Sequence, residues 1–201
     1  MSNLKIKICG LKHNEDIEYV NSVDIDYVGF VFVEKSSRFI TTIKAKELKN
    51  KLSPTIKAVG VFVDKSIEYI VELANNNIID MIQLHGNENE KYILDLKRMT
   101  DKSIIKAFQV NSSEDLKKAE KSSADYILLD GGSGGSGICI DWSIIYELNR
   151  PFFLAGGLNA DNVARAISIV NPYAVDVSSG VEVDSKKDLD EIKKFVIAAR
   201  R

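Results

Sequence analysis

The chain of 201 residues carries a formal net charge of −2, and 45% of its residues are hydrophobic against 28% that are charged. This composition is typical of a globular protein with a core and excludes disordered, collagen-like and low-complexity classes. A near-neutral charge argues against nucleic acid as a partner, because domains that bind it usually carry a basic excess. The length is at the small limit for an eightfold βα barrel, typically about 250 residues.

No stretch of the sequence is typical of a membrane span or a secretory signal. The longest apolar run, residues 28–33, is far shorter than the roughly 20 residues that cross a bilayer. The N-terminal residues also lack the apolar core of a signal peptide. Cys9 and Cys139 are too few for a disulfide framework and, with two histidines in the chain, do not indicate a metal site. We therefore expect a cytoplasmic protein without membrane association or bound metal.

Short β-rich apolar runs recur at the spacing of one βα unit. They start 22 to 31 residues apart and predict strands at 5–9, 27–32, 58–63, 81–85, 104–108, 126–130, 152–155 and 174–177. Apolar residues at helical spacing follow several of them, at 43–52, 67–74 and 189–199. Helix-start residues stand at Asn14, at Asn111 with Ser112, and at Asn159.

Strict alternation of strands and helices predicts an α/β fold with a parallel sheet. Eight such units that close on themselves form a (β/α)8 TIM barrel, whereas an open doubly wound sheet more often has five to seven strands. The only Gly/Ser tract, residues 131–137, follows the sixth strand and is interpreted as a loop. We therefore expect residues 1–201 to form a single domain, with its active site at the C-terminal ends of the strands.

Two glycine-containing turns follow the last two predicted strands. Gly156 and Gly157 precede a helix, and Ser178 and Ser179 precede Gly180 after the eighth strand. In barrels of this kind the corresponding loops often bind phosphate through free backbone N–H groups and a helix N-terminus. The alternative is a pair of tight turns whose glycines only supply positive φ angles.

Two titratable residues end other strands and suggest proton transfer. Cys9 closes the first strand, with Lys7 on the same inward face roughly 7 Å away. A cation there is expected to lower the pKa of the thiol and favour a general base, although a cysteine in this place is also a common small core residue. Asp130 closes the sixth strand, where partial burial would suit a general acid; the alternatives are a helix N-cap and a hydrogen bond that anchors a loop.

Three further polar residues stand near the same ends. Arg38, in the loop after the second strand, is placed to hold a planar carboxylate in two parallel hydrogen bonds, unless it is a solvated surface residue. Asp176 in the eighth strand is expected to accept backbone N–H bonds. His85, after the fourth strand, is either a core histidine or a residue that lines the site.

Taken together, these strand-end motifs resemble those of phosphoribosylanthranilate isomerases. The similarity lies in KICGL, GFVF with SSR, VGVFV, QLHGNE, GGSG before DW, LAGGLN and DVSSGVE, which follow one another in order from residue 7 to about residue 188. The chain departs from the family pattern at residues 138–140, where Ile-Cys-Ile replaces the usual Lys-Thr-Phe, and at Ser37, where proline is frequent.

The resemblance implies a cofactor-free step of tryptophan biosynthesis, the Amadori rearrangement of N-(5-phosphoribosyl)anthranilate. The residues matching the family's general acid and base are Asp130, which would protonate the furanose ring oxygen, and Cys9, which would remove the proton from the sugar C2. Arg38 would hold the anthranilate carboxylate. The phosphorylated small molecule would also contact His85, Asp176 and the backbone around Gly156, Gly157, Ser178 and Ser179.

There are two alternatives, a second kind of enzyme and a binding protein without catalytic activity. Another phosphate-binding barrel, such as indole-glycerol-phosphate synthase or a histidine-pathway isomerase, shares the glycine turns but does not account for Cys9 together with Arg38. A degenerate barrel that binds a sugar phosphate without turnover would be favoured by the loss of Cys9 or Asp130, and both are present. Monomer and homodimer remain open.

Overall fold

The computed structural model describes residues 4–131, 142–145 and 148–201. Eight parallel strands close into a barrel in chain order, which confirms the predicted TIM barrel. Each strand begins and ends within one residue of its predicted bounds. The strands are β1 (Lys5–Cys9), β2 (Tyr27–Val31), β3 (Lys57–Phe62), β4 (Met81–Leu84), β5 (Ile104–Gln109), β6 (Tyr126–Asp130), β7 (Phe152–Leu154) and β8 (Ala174–Val177).

Helices follow the strands and cover the outside of the barrel. They are α1 (Asn14–Asn21), α2 (Thr42–Lys51), α3 (Ile67–Asn75), α4 (Glu90–Met99), α5 (Ser113–Glu120), α6 (Val163–Val170) and α7 (Leu189–Ala199), with short 3-10 helices at Trp142–Ile144 and Ser179–Val181. The predicted start at Ser112 is confirmed, because its side chain accepts a hydrogen bond from the Asp115 N–H.

Two helices begin elsewhere than predicted. Asn14 is already the first residue of α1, and the cap is His13, because the Asp16 carboxylate accepts the backbone N–H of Lys12 at 2.8 Å and of His13 at 2.9 Å. Asn159 lies in a turn before α6, where its side chain accepts two backbone N–H bonds, so α6 starts after Asn162.

The side chains of β1 illustrate how the barrel divides its residues between two layers. Ile6 and Ile8 point outward and are fully buried in the apolar layer between strands and helices. Lys7 and Cys9 occupy the opposite, inward face, as the alternation of the strand predicts. The barrel interior therefore receives polar groups from the same strand that seals the outer layer.

Four aromatic rings close the N-terminal end of the barrel, and we refer to Tyr27, Tyr126, Phe153 and Tyr173 as the aromatic floor. The rings of Tyr126 and Tyr173 lie 5.1 Å apart, and Phe153 packs edge-on against Tyr126 at 5.7 Å. The hydroxyls of Tyr27 and Tyr173 are 2.9 Å apart and share a hydrogen bond. Rings at these distances stabilise the interior beyond the area they bury.

A short hairpin follows β8 and its 3-10 helix. Its strands, β9 (Glu182–Val183) and β10 (Lys186–Lys187), pair antiparallel and place Glu182 opposite Lys187. The two turn residues, Asp184 and Ser185, have φ angles of 49° and 62°. Positive φ at both central positions is the signature of the tight turns that join two-residue hairpins.

Part of the loop after β6 lies outside the described residues, including Gly132–Gly137 of the Gly/Ser tract and residues 138–140 with Cys139. Within the described ranges, no helix is both long and apolar enough to cross a bilayer. In the same ranges, no three His, Cys, Asp or Glu side chains are grouped as a metal site would require.

Candidate active site

A cavity of about 370 Å³ opens at the C-terminal ends of the strands. All nine site residues expected from the sequence line it: Cys9, Arg38, His85, Asp130, Gly156, Gly157, Asp176, Ser178 and Ser179. A larger hollow, about 780 Å³, lies at the opposite end of the barrel. Among the described residues that line it, the one charged side chain is Arg150, which donates to backbone carbonyls, and no carboxylate, histidine or cysteine is present.

Cys9 projects into the cavity because the neighbouring strand leaves room for its sulfur. Gly29 pairs with Cys9 across β1 and β2, and a Cβ atom at Gly29 would lie 2.5 Å from the Cys9 Sγ. Real Cβ atoms do not approach a neighbour so closely. The thiol therefore depends on a glycine at this register position.

Lys7 is fully buried beneath Cys9 and is paired with Asp176. Its Nζ lies 3.0 Å from both carboxylate oxygens of Asp176. Burial alone would lower the pKa of Lys7, but the charges and hydrogen bonds of Asp176 and Cys9 together outweigh it and keep that pKa above its ordinary value. The expectation that Asp176 accepts backbone N–H bonds is therefore wrong, because a buried ammonium takes both of its oxygens.

The expected effect of Lys7 on Cys9 is also corrected. Burial raises the pKa of the Cys9 thiol, the Lys7 charge offsets part of this, and Asp176 adds to the increase. The net pKa of Cys9 lies above, not below, its ordinary value. Lys7 acts in the expected direction but is outweighed by desolvation and by its own counterion.

His85 connects the fourth strand to Asp130. The Nε2 of Gln83 lies 2.9 Å from His85 Nδ1, and His85 Nε2 lies 3.6 Å from an oxygen of Asp130. With the amide donating to Nδ1, neutral His85 carries its proton on Nε2, toward the carboxylate. Among the described residues the buried Gln83 Oε1 has no hydrogen-bond partner, so the amide is held through its nitrogen.

The glycine turns have the backbone geometry that the sequence suggests. Gly156 and Gly157 have φ angles of 85° and 63°, which side chains rarely adopt. Gly180 packs so closely that a Cβ there would lie 2.0 Å from the Leu158 carbonyl oxygen, and the two loops are therefore in direct contact. The Ser178 hydroxyl donates to the Cys9 carbonyl at 3.0 Å and ties β8 to β1.

Arg38 lines the cavity and forms an ion pair with Glu182. Its Nε and Nη2 donate to the two Glu182 oxygens at 2.8 Å each. Lys187 also donates to Glu182, at 2.6 Å. Burial would raise the pKa of Glu182, but Arg38 and Lys187 outweigh it and the net pKa is lowered.

Formal charges around the cavity are balanced among the described residues. Three cations, Lys7, Arg38 and Lys187, are paired with or close to three carboxylates, Asp130, Asp176 and Glu182. Lys7 and Arg38 therefore do not make the cavity mouth uniformly positive. Buried cations are stable only with counterions beside them, and the counterions of Lys7 and Arg38 are 169 and 144 residues away along the chain.

Comparison with known proteins identifies the family to which the chain belongs. The family model described as "N-(5'phosphoribosyl)anthranilate (PRA) isomerase" matches residues 6–198. The chain belongs to this family. An N-(5'-phosphoribosyl)anthranilate isomerase from Clostridium acetobutylicum is 44% identical over 206 residues, covering 98% of both chains.

Solved structures of the family share the fold over almost the whole chain. Monomers of the dimeric phosphoribosylanthranilate isomerase from Thermotoga maritima match with a TM-score of 0.88 at 37% identity, covering 98% of each chain. An isomerase in complex with reduced 1-(o-carboxyphenylamino)-1-deoxyribulose 5-phosphate matches with a TM-score of 0.87, at the same identity and coverage.

Four residues of the site were missed by sequence reasoning. They are Gly29, Gln83, Glu182 as the partner of Arg38, and Lys187. Gly29 could have been found from strand register, since it stands opposite Cys9 once β1 and β2 are aligned. Lys187 had no signal, because the turn before it is Asp184-Ser185 and lacks the glycine that marks most tight hairpins.

Proposed function

We propose that this chain catalyses the Amadori rearrangement of N-(5'-phosphoribosyl)anthranilate to 1-(2-carboxyphenylamino)-1-deoxyribulose 5-phosphate. One observation carries the proposal. A thiol on β1 and a carboxylate on β6 face the same cavity, which is bordered by two glycine turns and an arginine. Family membership supports the reaction, and the cavity contains each group that its steps require.

The proposed chemistry needs an acid and a base on separate strands. Asp130 donates a proton to the furanose ring oxygen, and the C1–O bond breaks to open the ring as a protonated imine (iminium). Cys9, as thiolate, then removes the proton from the sugar C2, which gives an enolamine that tautomerises to the ketone. General acids and bases that act in this way each accelerate a reaction by about 10²- to 10⁴-fold.

The remaining residues are proposed to hold the substrate. Backbone N–H groups at Gly156, Gly157, Ser178 and Ser179 bind the phosphate, because glycine lets the chain approach an anion closely. Arg38 binds the anthranilate carboxylate.

Two polar side chains complete the proposed contacts at the base of the cavity. His85 directs its Nε2–H toward Asp130 and the reacting sugar. Asp176 lies beneath the sugar with Lys7 as its counterion.

We further propose that residues 1–201 act as one catalytic domain in the cytoplasm, without a cofactor and without a nucleic-acid or membrane partner. Every residue of the proposed site comes from a single chain, so a monomer would suffice for the reaction. A homodimer is equally compatible, and the Thermotoga maritima relative is described as dimeric.

The direct test is a fluorescence assay of freshly made phosphoribosylanthranilate, whose signal falls as it is converted. We expect purified protein to consume the substrate with Michaelis–Menten kinetics, also in the presence of a chelator. Chromatography must identify the aminodeoxyribulose phosphate as the product. No conversion above the spontaneous decay of the substrate would refute the proposal.

A further inference from the structure

The ion pair between Arg38 and Glu182 uses only one edge of the guanidinium. Glu182 accepts from Nε and from one hydrogen of Nη2. A guanidinium has five N–H donors, so both hydrogens of Nη1 and one of Nη2 remain. Among the described residues none of these three is engaged. They form the end edge of the fork, which is the other arrangement that can hold a carboxylate through two parallel bonds.

Glu182 is itself fixed from a second side by Lys187. The Lys187 ammonium is buried, donates to Glu182 at 2.6 Å and donates to the Ser178 carbonyl at 2.9 Å. The hairpin register holds these two residues opposite each other. Glu182 therefore cannot turn away from Arg38 without leaving a buried ammonium unpaired, which is costly.

The charges of the three residues do not cancel. Arg38 and Lys187 carry two positive charges against the one negative charge of Glu182, so the group is left with one net positive charge. An Arg38–Glu182 pair alone would be neutral and would present a carboxylate to an incoming carboxylate. The charge of Lys187 offsets the repulsion between Glu182 and an incoming carboxylate, while Glu182 remains hydrogen-bonded to Arg38.

Packing restricts the arginine from a third direction. Gly10 has a φ angle of 87°, and a Cβ at this position would lie 2.4 Å from the Cδ of Arg38. The stem of the side chain therefore lies directly on the Gly10 backbone. With its stem and one edge fixed, the guanidinium has little freedom to turn, and Arg38 lines the cavity.

We propose that Glu182 and Lys187 are positioning residues for the carboxylate-binding arginine. Glu182 accepts hydrogen bonds from the side edge of the Arg38 guanidinium, so that the end edge of the guanidinium faces the ligand carboxylate. Lys187 neutralises the charge of Glu182. The proposal rests on the proposed function, in which the substrate carries a carboxylate at this end. It adds a specificity device that discriminates carboxylated aryl amines from uncharged ones.

The test compares two ligands that differ in one group. One is reduced 1-(o-carboxyphenylamino)-1-deoxyribulose 5-phosphate, and the other is the phenylamino compound without the carboxylate. The informative variant is Glu182→Gln/Lys187→Met, because it removes one charge of each sign and leaves the net positive charge beside Arg38 unchanged. Both dissociation constants are measured by calorimetry, and thermal unfolding confirms that the variant is folded.

We expect the double variant to bind the carboxylated ligand about tenfold more weakly, since a charge-assisted bond is no longer well oriented. Its affinity for the carboxylate-free ligand should change less than about twofold. The matched control is Glu191→Gln/Lys194→Met, which removes an exposed ion pair of 2.7 Å on α7. It should leave both affinities unchanged.

The single variant Lys187→Met separates the effect of charge from the effect of orientation. It leaves Arg38 bonded to Glu182 but makes the group of three residues neutral. We therefore expect it to bind the carboxylated ligand more weakly than the unmodified protein does, with little change in affinity for the carboxylate-free ligand. If it fails to fold, the double variant still tests the proposal, because it removes the buried Lys187 ammonium together with its counterion and leaves only the partly exposed Arg38 charged. Equal weakening of both ligands by the double variant would overturn the proposal, and so would tighter binding of the carboxylated one.

Failure of the proposed function gives a different pattern. Arg38→Ala should lose affinity for the carboxylated ligand alone; if it does not, the assignment of Arg38 to the carboxylate is wrong, whatever Glu182 does. If the unmodified protein binds the ligand pair selectively but converts no phosphoribosylanthranilate, the reaction is wrong while the positioning role stands.

Discussion

The two ends of the barrel interior are built from inward-facing residues of the same strands, yet they differ in chemistry. The aromatic floor consists of rings 5.1–5.7 Å apart, with one hydroxyl pair as a polar contact. The mouth holds a thiol, a histidine and paired charges around a cavity. Tyr126 and Asp130, only four residues apart on β6, belong to opposite ends.

This difference shows that the aromatic floor contributes to the stability of the barrel, whereas the polar mouth contributes little. Burying aromatic rings is favourable in proportion to the area removed from water. Burying ion pairs such as Lys7–Asp176 roughly balances attraction against lost hydration and is weak evidence for stability. The floor can therefore be weakened without touching chemistry, whereas the mouth can be disabled with little change in folding.

The largest effect is expected at the mouth. Cys9→Ala and Asp130→Asn should each reduce kcat/KM for phosphoribosylanthranilate by about 10²- to 10⁴-fold, because each removes a proton-transfer group. Binding of the reduced product analogue should persist, and the free energy of unfolding should change by about 1 kcal/mol or less. Steady-state kinetics with denaturant titration checks both. An active variant would contradict the acid–base assignment.

Phe153→Ala tests the other end. Removing the fully buried ring should lower the free energy of unfolding by about 3–5 kcal/mol, because a cavity replaces it. Below the unfolding transition, the affinity for the product analogue should be unchanged. Phe153→Leu serves as the control, since it leaves a smaller cavity and should cost less. Loss of ligand affinity in folded Phe153→Ala would show that the two ends are not independent.

Lys7→Met tests the buried ion pair between them. It leaves the Asp176 carboxylate buried without its partner, and we expect a loss of about 3–5 kcal/mol of folding stability. The double variant Lys7→Met/Asp176→Leu should recover most of that stability but not the catalytic rate. Denaturant titration of both variants decides the matter. A double variant as unstable as the single one would mean that the pair itself stabilises the barrel.

The smallest expected effect is a shift in the pH dependence of the reactivity of the Cys9 thiol. Because its pKa is raised, the thiol stays protonated to higher pH, and the reactive thiolate accumulates only as the pH increases through that value. Alkylation by iodoacetamide should therefore have a midpoint above that of an ordinary thiol. Subtracting the rate of Cys9→Ala isolates Cys9 from other thiols. A midpoint at or below the ordinary value would mean that Lys7 dominates after all.

The sequence predicted the barrel because its spacing is nearly uniform and each strand is a contiguous apolar run. It also predicted the residues that line the cavity, since the C-terminal ends of parallel strands converge in any closed barrel. It failed where the outcome depends on burial or on distant partners. The sign of the pKa shift of Cys9 depends on desolvation, and Arg38 pairs with a residue 144 positions away.

The segment of residues 178–187 contributes to both ends of the proposed ligand site. Ser178 and Ser179 border the proposed phosphate site, Glu182 determines the direction of Arg38, and Lys187 bonds both Ser178 and Glu182. The separation of the two anionic ends of a ligand is thus set within ten residues of chain. The hairpin therefore links the residues that border the proposed phosphate site to the residue that orients Arg38, so that a change in its register would affect both ends of the ligand.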